Sequence, residues 1–169
     1  MKPKTVGRIA DGTPSRIPSD TTGLLAHSII LTLDGAKPVG HVQAGDRVIT
    51  RDSGMAIVKA VHRRQIRTAA VRIAAGSLGQ SRPDRDVTLP ARQMVLMRDW
   101  RAQALFGKPQ ALIPVSSLVD GEFIRLQDDV PMTVCDLEFD RPHILYVDGI
   151  EVAGHFPQTA TAASASAAA

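Results

Sequence analysis

The sequence predicts an all-β fold, and three observations carry that expectation. Short apolar runs recur through the middle of the chain, turn-forming residues fall between them, and only one stretch has helical spacing. Ser28 to Leu33 is the first strand candidate and ends at Asp34-Gly35, a dipeptide suited to hairpins because both residues tolerate positive φ. Arg47 to Arg51 lies between Gly45-Asp46 and Asp52-Ser53-Gly54. Met55 to Val61 alternates with period two, placing Ala56, Val58 and Ala60 on one face and Ile57, Lys59 and Val61 on the other. Val71 and Ile73, Val95 and Leu96, Phe123 to Leu126, Val134 to Phe139 and Ile144 to Val147 repeat the theme. Trp100 to Phe106, where Trp100 and Ala104 share a face, predicts a turn or two of helix.

With 169 residues the chain has room for one domain with a sizeable core. Met1 to Thr22 is rich in Pro, Ser, Thr and Gly, and Gln158 to Ala169 is an Ala/Ser/Thr tail; both are expected to be disordered, leaving residues 23–157 as the domain. The 20 Lys and Arg exceed the 17 Asp and Glu by a formal charge of only +3, and aromatic residues make up 4% of the chain. So small an excess, with so few rings to stack on bases, does not point to nucleic acid. A nucleic-acid or anionic-surface function would have to rest on Arg63, Arg64, Arg67, Arg98 and Arg101, which on strands read as solvated edge charges.

The single cysteine, Cys135, cannot form an intramolecular disulfide, and His27, His41, His62 and His155 show no ligand spacing, so neither metal nor cofactor is expected. The first 20 residues have no signal-peptide apolar region, and no apolar run approaches the roughly 20 residues that span a bilayer. A soluble protein, cytoplasmic by default, is the expectation.

Three segments in order carry a family resemblance. The first reads G-L-L-A-H-S-I-I-L-T-L-D-G from Gly23 and V-Q-A-G-D-R-V-I-T-R-D-S-G from Val42; the second reads L-P-A-R-Q-M-V-L-M-R-D-W-R-A from Leu89; the third reads V-C-D-L-E-F-D-R-P-H-I-L-Y-V-D-G-I-E-V from Val134. Together they resemble the blocks of Hint domains, the module of hedgehog and intein autoprocessing proteins, and in particular a bacterial subgroup. The resemblance covers nearly all of Gly23 to Val152. It implies a strongly curved β-fold with pseudo-two-fold halves and adjacent first and last strands, which would put Leu31 near the strand containing Leu145.

It also implies a chemistry. In the family a Cys attacks the carbonyl before it, which requires a nucleophile, an oxyanion donor and an acid for the departing nitrogen. Here the nucleophile's position falls on Gly23, which has no side chain. The hydroxyl and histidine of the second block fall on Pro90 and Gln93, and an amide cannot act as an acid near neutral pH. The His-Asn pair used for splicing falls on Ala153 and Gly154. Only Asp136 and His143 keep their residue types. The leading expectation is therefore a Hint-like domain inactive in autoproteolysis and retained as a binding or structural module; its partner is unknown, a protein being one option. The alternative is an active self-processing domain using Ser28 or Cys135, residues that otherwise read as a strand hydroxyl and a small buried hydrophobe.

Overall fold

The computed structural model describes residues 22–154. The stretches expected to be disordered lie outside the described residues, except for Thr22. Twelve strands and one helix follow in chain order: β1 (Leu24–Leu25), β2 (Ile29–Thr32), β3 (Gly35–Pro38), β4 (Arg47–Thr50), β5 (Gly54–Ile57), β6 (Ala60–Ile73), β7 (Val87–Pro90), β8 (Met94–Met97), α1 (Trp100–Phe106), β9 (Ala111–Pro114), β10 (Ile124–Glu138), β11 (Ile144–Val147) and β12 (Ile150–Ala153). One sheet runs β1-β10-β6-β7. The other runs β3-β2-β4-β11-β12-β8-β9, with β5 on β4.

Local chemistry explains the turns. Asp148 and Gly149 both have positive φ (49° and 79°) and close β11 onto β12 with Val147 opposite Ile150. The first hairpin turns one residue earlier than its Asp-Gly pair predicts. Thr32 pairs with Gly35, leaving Leu33-Asp34 at the tip, because the Thr32 hydroxyl donates to the Gly35 carbonyl at 2.6 Å and accepts from the Asp34 N–H at 3.2 Å. The helix matches its expected span. Asp99 caps it by accepting from the Arg101 N–H at 2.9 Å, and Gly107 ends it at φ 65°.

The largest departure from the sequence reading is length. Residues read as separate short strands belong to two long ones, β6 and β10, paired from Ile73↔Ile124 to Ala60↔Glu138. His62 to Gln65 and Gln127 to Asp129 are exposed and charged or polar, so they lack the alternation of a half-buried strand. Backbone pairing, not burial, holds them extended.

The pseudo-two-fold is visible bond by bond. Ala26 N–H donates to Thr133 O, Ser28 to Leu25 O, Val39 to Ser28 O and Gly40 to Ala26 O. In the second half Ala91 donates to Ala69 O, Gln93 to Pro90 O, Val115 to Gln93 O and Ser116 to Ala91 O. Each half thus sends its short first strand onto the other half's long strand, β1 onto β10 and β7 onto β6. By this correspondence Ser28 matches Gln93, Leu25 matches Pro90 and Gly23 matches Thr88.

The core lies where the halves meet. Ile30, Val71, Leu89, Leu137, Leu145 and Val152 are fully buried, each stabilising the fold by roughly 1.5–3 kcal/mol. Leu31 lies where expected, near the strand containing Leu145, since β11 pairs with β2 at Val147↔Ile30, but the first and last strands, β1 and β12, lie in different sheets. No described helix is long and apolar enough to cross a membrane.

Candidate functional site

The site begins with a tight turn. Pro90 ends β7, where a residue without an N–H is tolerated, and its carbonyl accepts from the Gln93 N–H at 2.9 Å. That turn drives the Gln93 side chain inward, where only 3% of the residue is exposed. Its Oε1 accepts from the Gly23 N–H at 2.9 Å, and its Nε2 donates to the Ala153 carbonyl at 2.8 Å and, at 3.3 Å, to the Met94 carbonyl. One amide thus ties the residue before β1 to the end of β12. Glutamine suits the place because it presents an acceptor and a donor at once.

The long ribbon supplies the other half. Asp136 stands opposite His62 and Arg64 opposite Val134, so Asp136 and Arg64 are diagonal neighbours. The Arg64 Nε donates to the buried Asp136 carboxylate at 2.8 Å, and its terminal nitrogen donates to the Thr22 carbonyl at 3.0 Å. The Thr22–Gly23 peptide is therefore gripped at both ends, its carbonyl by Arg64 and its N–H by Gln93.

Gly23 has φ 143°, and a Cβ built there would sit 2.8 Å from the Cβ of Val134 and 3.3 Å from a carboxylate oxygen of Asp136. The space bounded by Thr22, Gly23, Gln93, Asp136, Leu145 and Ala153 is about 10 Å³, room for a single water at most.

The structure brings together three of the five expected positions, Gly23, Gln93 and Asp136. Pro90 shapes the Gln93 turn without lining the pocket. His143 is buried, but its Nδ1 lies 2.8 Å from Asp52 and 3.2 Å from the Ser53 hydroxyl, on the β4–β5 hairpin side. Burial pushes the Asp52 carboxyl up, but donation from the Ile144 N–H and from His143 outweighs it and leaves the group below the ordinary carboxylate range. Serine and carboxylate meet the same ring nitrogen, so the cluster lacks the relay geometry of a hydrolytic triad, in which the two occupy opposite nitrogens. His143 touches the pocket side only through its backbone: its carbonyl accepts from the Gly154 N–H at 2.9 Å.

Ser28 and Cys135 are buried, and none of the described histidines or carboxylates is bonded to either side chain. Among the described residues no group of three or more His, Cys, Asp or Glu could hold a metal. Arg64 is the member of the site that the sequence reading placed elsewhere, among surface charges. Only the β6–β10 register reveals it.

The all-β domain thus brings the residue before its first strand and the end of its last strand to one buried side chain, that of Gln93. A model of the Hint domain family matches residues 22–159, and the chain belongs to that family. Similar solved structures include a bacterial intein-like domain from Clostridium thermocellum, at 18% identity and a TM-score of 0.58 over 81% of this chain and 100% of that one. A DnaB intein from Synechocystis sp. PCC 6803 follows at 12% identity and 0.55 over 80% and 100%. The gp41-1 intein stands at 13% and 0.51 over 81% and 100%. These likenesses speak for the fold. No curated protein matches the chain.

Proposed function

We propose that this Hint domain is inactive in self-cleavage and persists as a folded binding or structural module, holding the Thr22–Gly23 peptide rather than breaking it. The observation that carries the reading is Gly23: it has no nucleophile, and Val134 and Asp136 occupy the space one would need. The polarity of Gln93 points the same way. A departing amide nitrogen needs a proton donor, whereas the atom facing Gly23 N is a carbonyl oxygen that accepts. Arg64 keeps a donor on the Thr22 carbonyl, so of the three requirements for acyl transfer only the electrophile's polarisation is represented. A nucleic-acid role has less support: Arg64, Arg67, Arg98 and Arg101 are each in an ion pair with a carboxylate.

The test is intact mass after incubating the full chain with hydroxylamine or a thiol. The expected result is an unchanged mass. A fragment ending at Thr22, or one ending just before Ser28 or Cys135, would overturn the reading.

A further inference from the structure

On the ribbon, away from the Gly23 pocket, lies an open groove of about 1170 Å³ that the family chemistry does not use. Its floor is a second apolar cluster separate from the main core, in which Leu25 and Met132 are buried and Ile66 and Val130 half-buried. Its walls carry Arg63, Arg67, His27 and His41, all exposed, and no Asp or Glu lines it. Arg67 is already engaged by Asp129, at 2.8 Å. Among the described residues Arg63 bonds only the Gly40 carbonyl, at 2.6 Å, and no described carboxylate pairs with it. His27 and His41 have no side-chain hydrogen bond among the described residues.

We propose that this groove binds an acidic, partly apolar peptide segment of another protein. An apolar floor beside the Arg63 guanidinium, with no Asp or Glu in the lining, asks for a ligand with alternating apolar and carboxylate side chains, which an extended peptide supplies at period two. The chain's own N-terminal segment does not fit: residues 1–21 carry Lys2, Lys4, Arg8 and Arg16 against Asp11 and Asp20. Main-chain strand addition is not the mode. Thr133 faces the outer edge of β10, since its carbonyl accepts from Ala26, so Pro131, two residues back, faces the same edge without an N–H to give. Side chains must therefore carry the recognition.

The full chain is titrated, by fluorescence anisotropy, into a labelled short peptide alternating Glu and Val, its counterpart alternating Lys and Val, one alternating Glu and Ser, and a single-stranded oligonucleotide. Saturable binding of the Glu-Val peptide alone is expected. Charge reversal Arg63→Glu should weaken it about tenfold, the size of one lost and one repelled charge contact, and Ile66→Ser should weaken it by a smaller factor through the floor. Both positions lie off the main core, and an unchanged melting temperature confirms that the variants fold. Four outcomes overturn the proposal: no binding of the Glu-Val peptide, equal binding of the Glu-Ser peptide, binding of the oligonucleotide as tight as that of the peptide, or indifference of a folded Arg63→Glu variant. None of these bears on cleavage at Thr22–Gly23, so the groove and the inactive-site reading stand or fall separately.

Discussion

The two halves of the domain share one backbone frame but fill it differently. Around Gln93 and around Ser28 the same four main-chain hydrogen bonds recur, yet Gln93 reaches across to Gly23 and Ala153 while Ser28 is a buried hydroxyl on the opposite side of the pseudo-axis. The frame therefore does not need the side chains of the cleavage chemistry. What distinguishes the first site is a set of polar groups that fasten Thr22, Gly23 and Ala153.

If the frame is symmetric, equivalent core positions should fail equally. Leu137 corresponds to Ile73 through the pairings of β1 with β10 and β7 with β6, and both are buried at 1% or less. Leu137→Asp and Ile73→Asp each bury an unpaired carboxylate and should cost on the order of 4–5 kcal/mol, enough to unfold a domain at the low end of ordinary stability. Loss of the cooperative thermal transition in both variants is the expected result. A folded Ile73→Asp beside an unfolded Leu137→Asp would break the symmetry claim.

If the site is not symmetric, Gln93 and Ser28 should differ. Gln93→Ala strands the Gly23 N–H and the Ala153 carbonyl in a space with room for one water, at about 1–3 kcal/mol for each group left unpaired. A total of roughly 2–6 kcal/mol in denaturant titration is expected, against under about 1 kcal/mol for Ser28→Ala. Equal losses would show that the amide is no more than strand packing.

These contrasts also show what the sequence could reveal. Strand existence was legible wherever one face is buried, as at Ala56 and Val58, because burial writes period two into residue choice. The exposed stretches of β6 and β10 were not, since a paired but solvated ribbon imposes no such pattern. Gly23, Gln93 and Asp136 could be placed together by resemblance alone. Arg64 could not, because its partnership is diagonal across strands 72 residues apart in sequence. His143 was expected among the site positions, but its side chain turns to Asp52, a choice made by the β4–β5 hairpin and invisible in the spacing of the third block.

Arg64 sharpens the comparison further. Its equivalent across the pseudo-axis is Gln127, which is exposed. Removing one partner of a buried pair costs 3–5 kcal/mol, but the Arg64 side chain is 43% exposed and water compensates part of the loss, so Arg64→Ala should cost about 1–2 kcal/mol. Gln127→Ala should cost nothing measurable. Hydrogen exchange at Gly23 and Leu24 should rise in Arg64→Ala alone, because the clamp on the Thr22 carbonyl is local.

The smallest expected effect concerns acid and lies outside the pseudo-symmetric pair, at the hairpin that took His143. The Asp52 carboxyl is held below its usual range despite burial, by the Ile144 N–H and by His143. A carboxyl with a depressed folded-state pKa contributes stability above its unfolded pKa, near 3.9. That contribution drains away as pH falls through the lower folded value. Lys37 and the Gln43 N–H depress Asp46, in the β3–β4 connection, in the same sense. Asp52→Asn should therefore lower the melting temperature slightly at pH 6 and converge with the wild type as both are taken below pH 3, where the wild-type carboxyl is itself neutral. Asp46→Asn should behave likewise and additively, since the two carboxyls have separate partners. A constant offset between Asp52→Asn and the wild type across that range would mean that His143 is held by shape rather than by the charge of Asp52, and its departure from the Gly23 pocket would then need another cause.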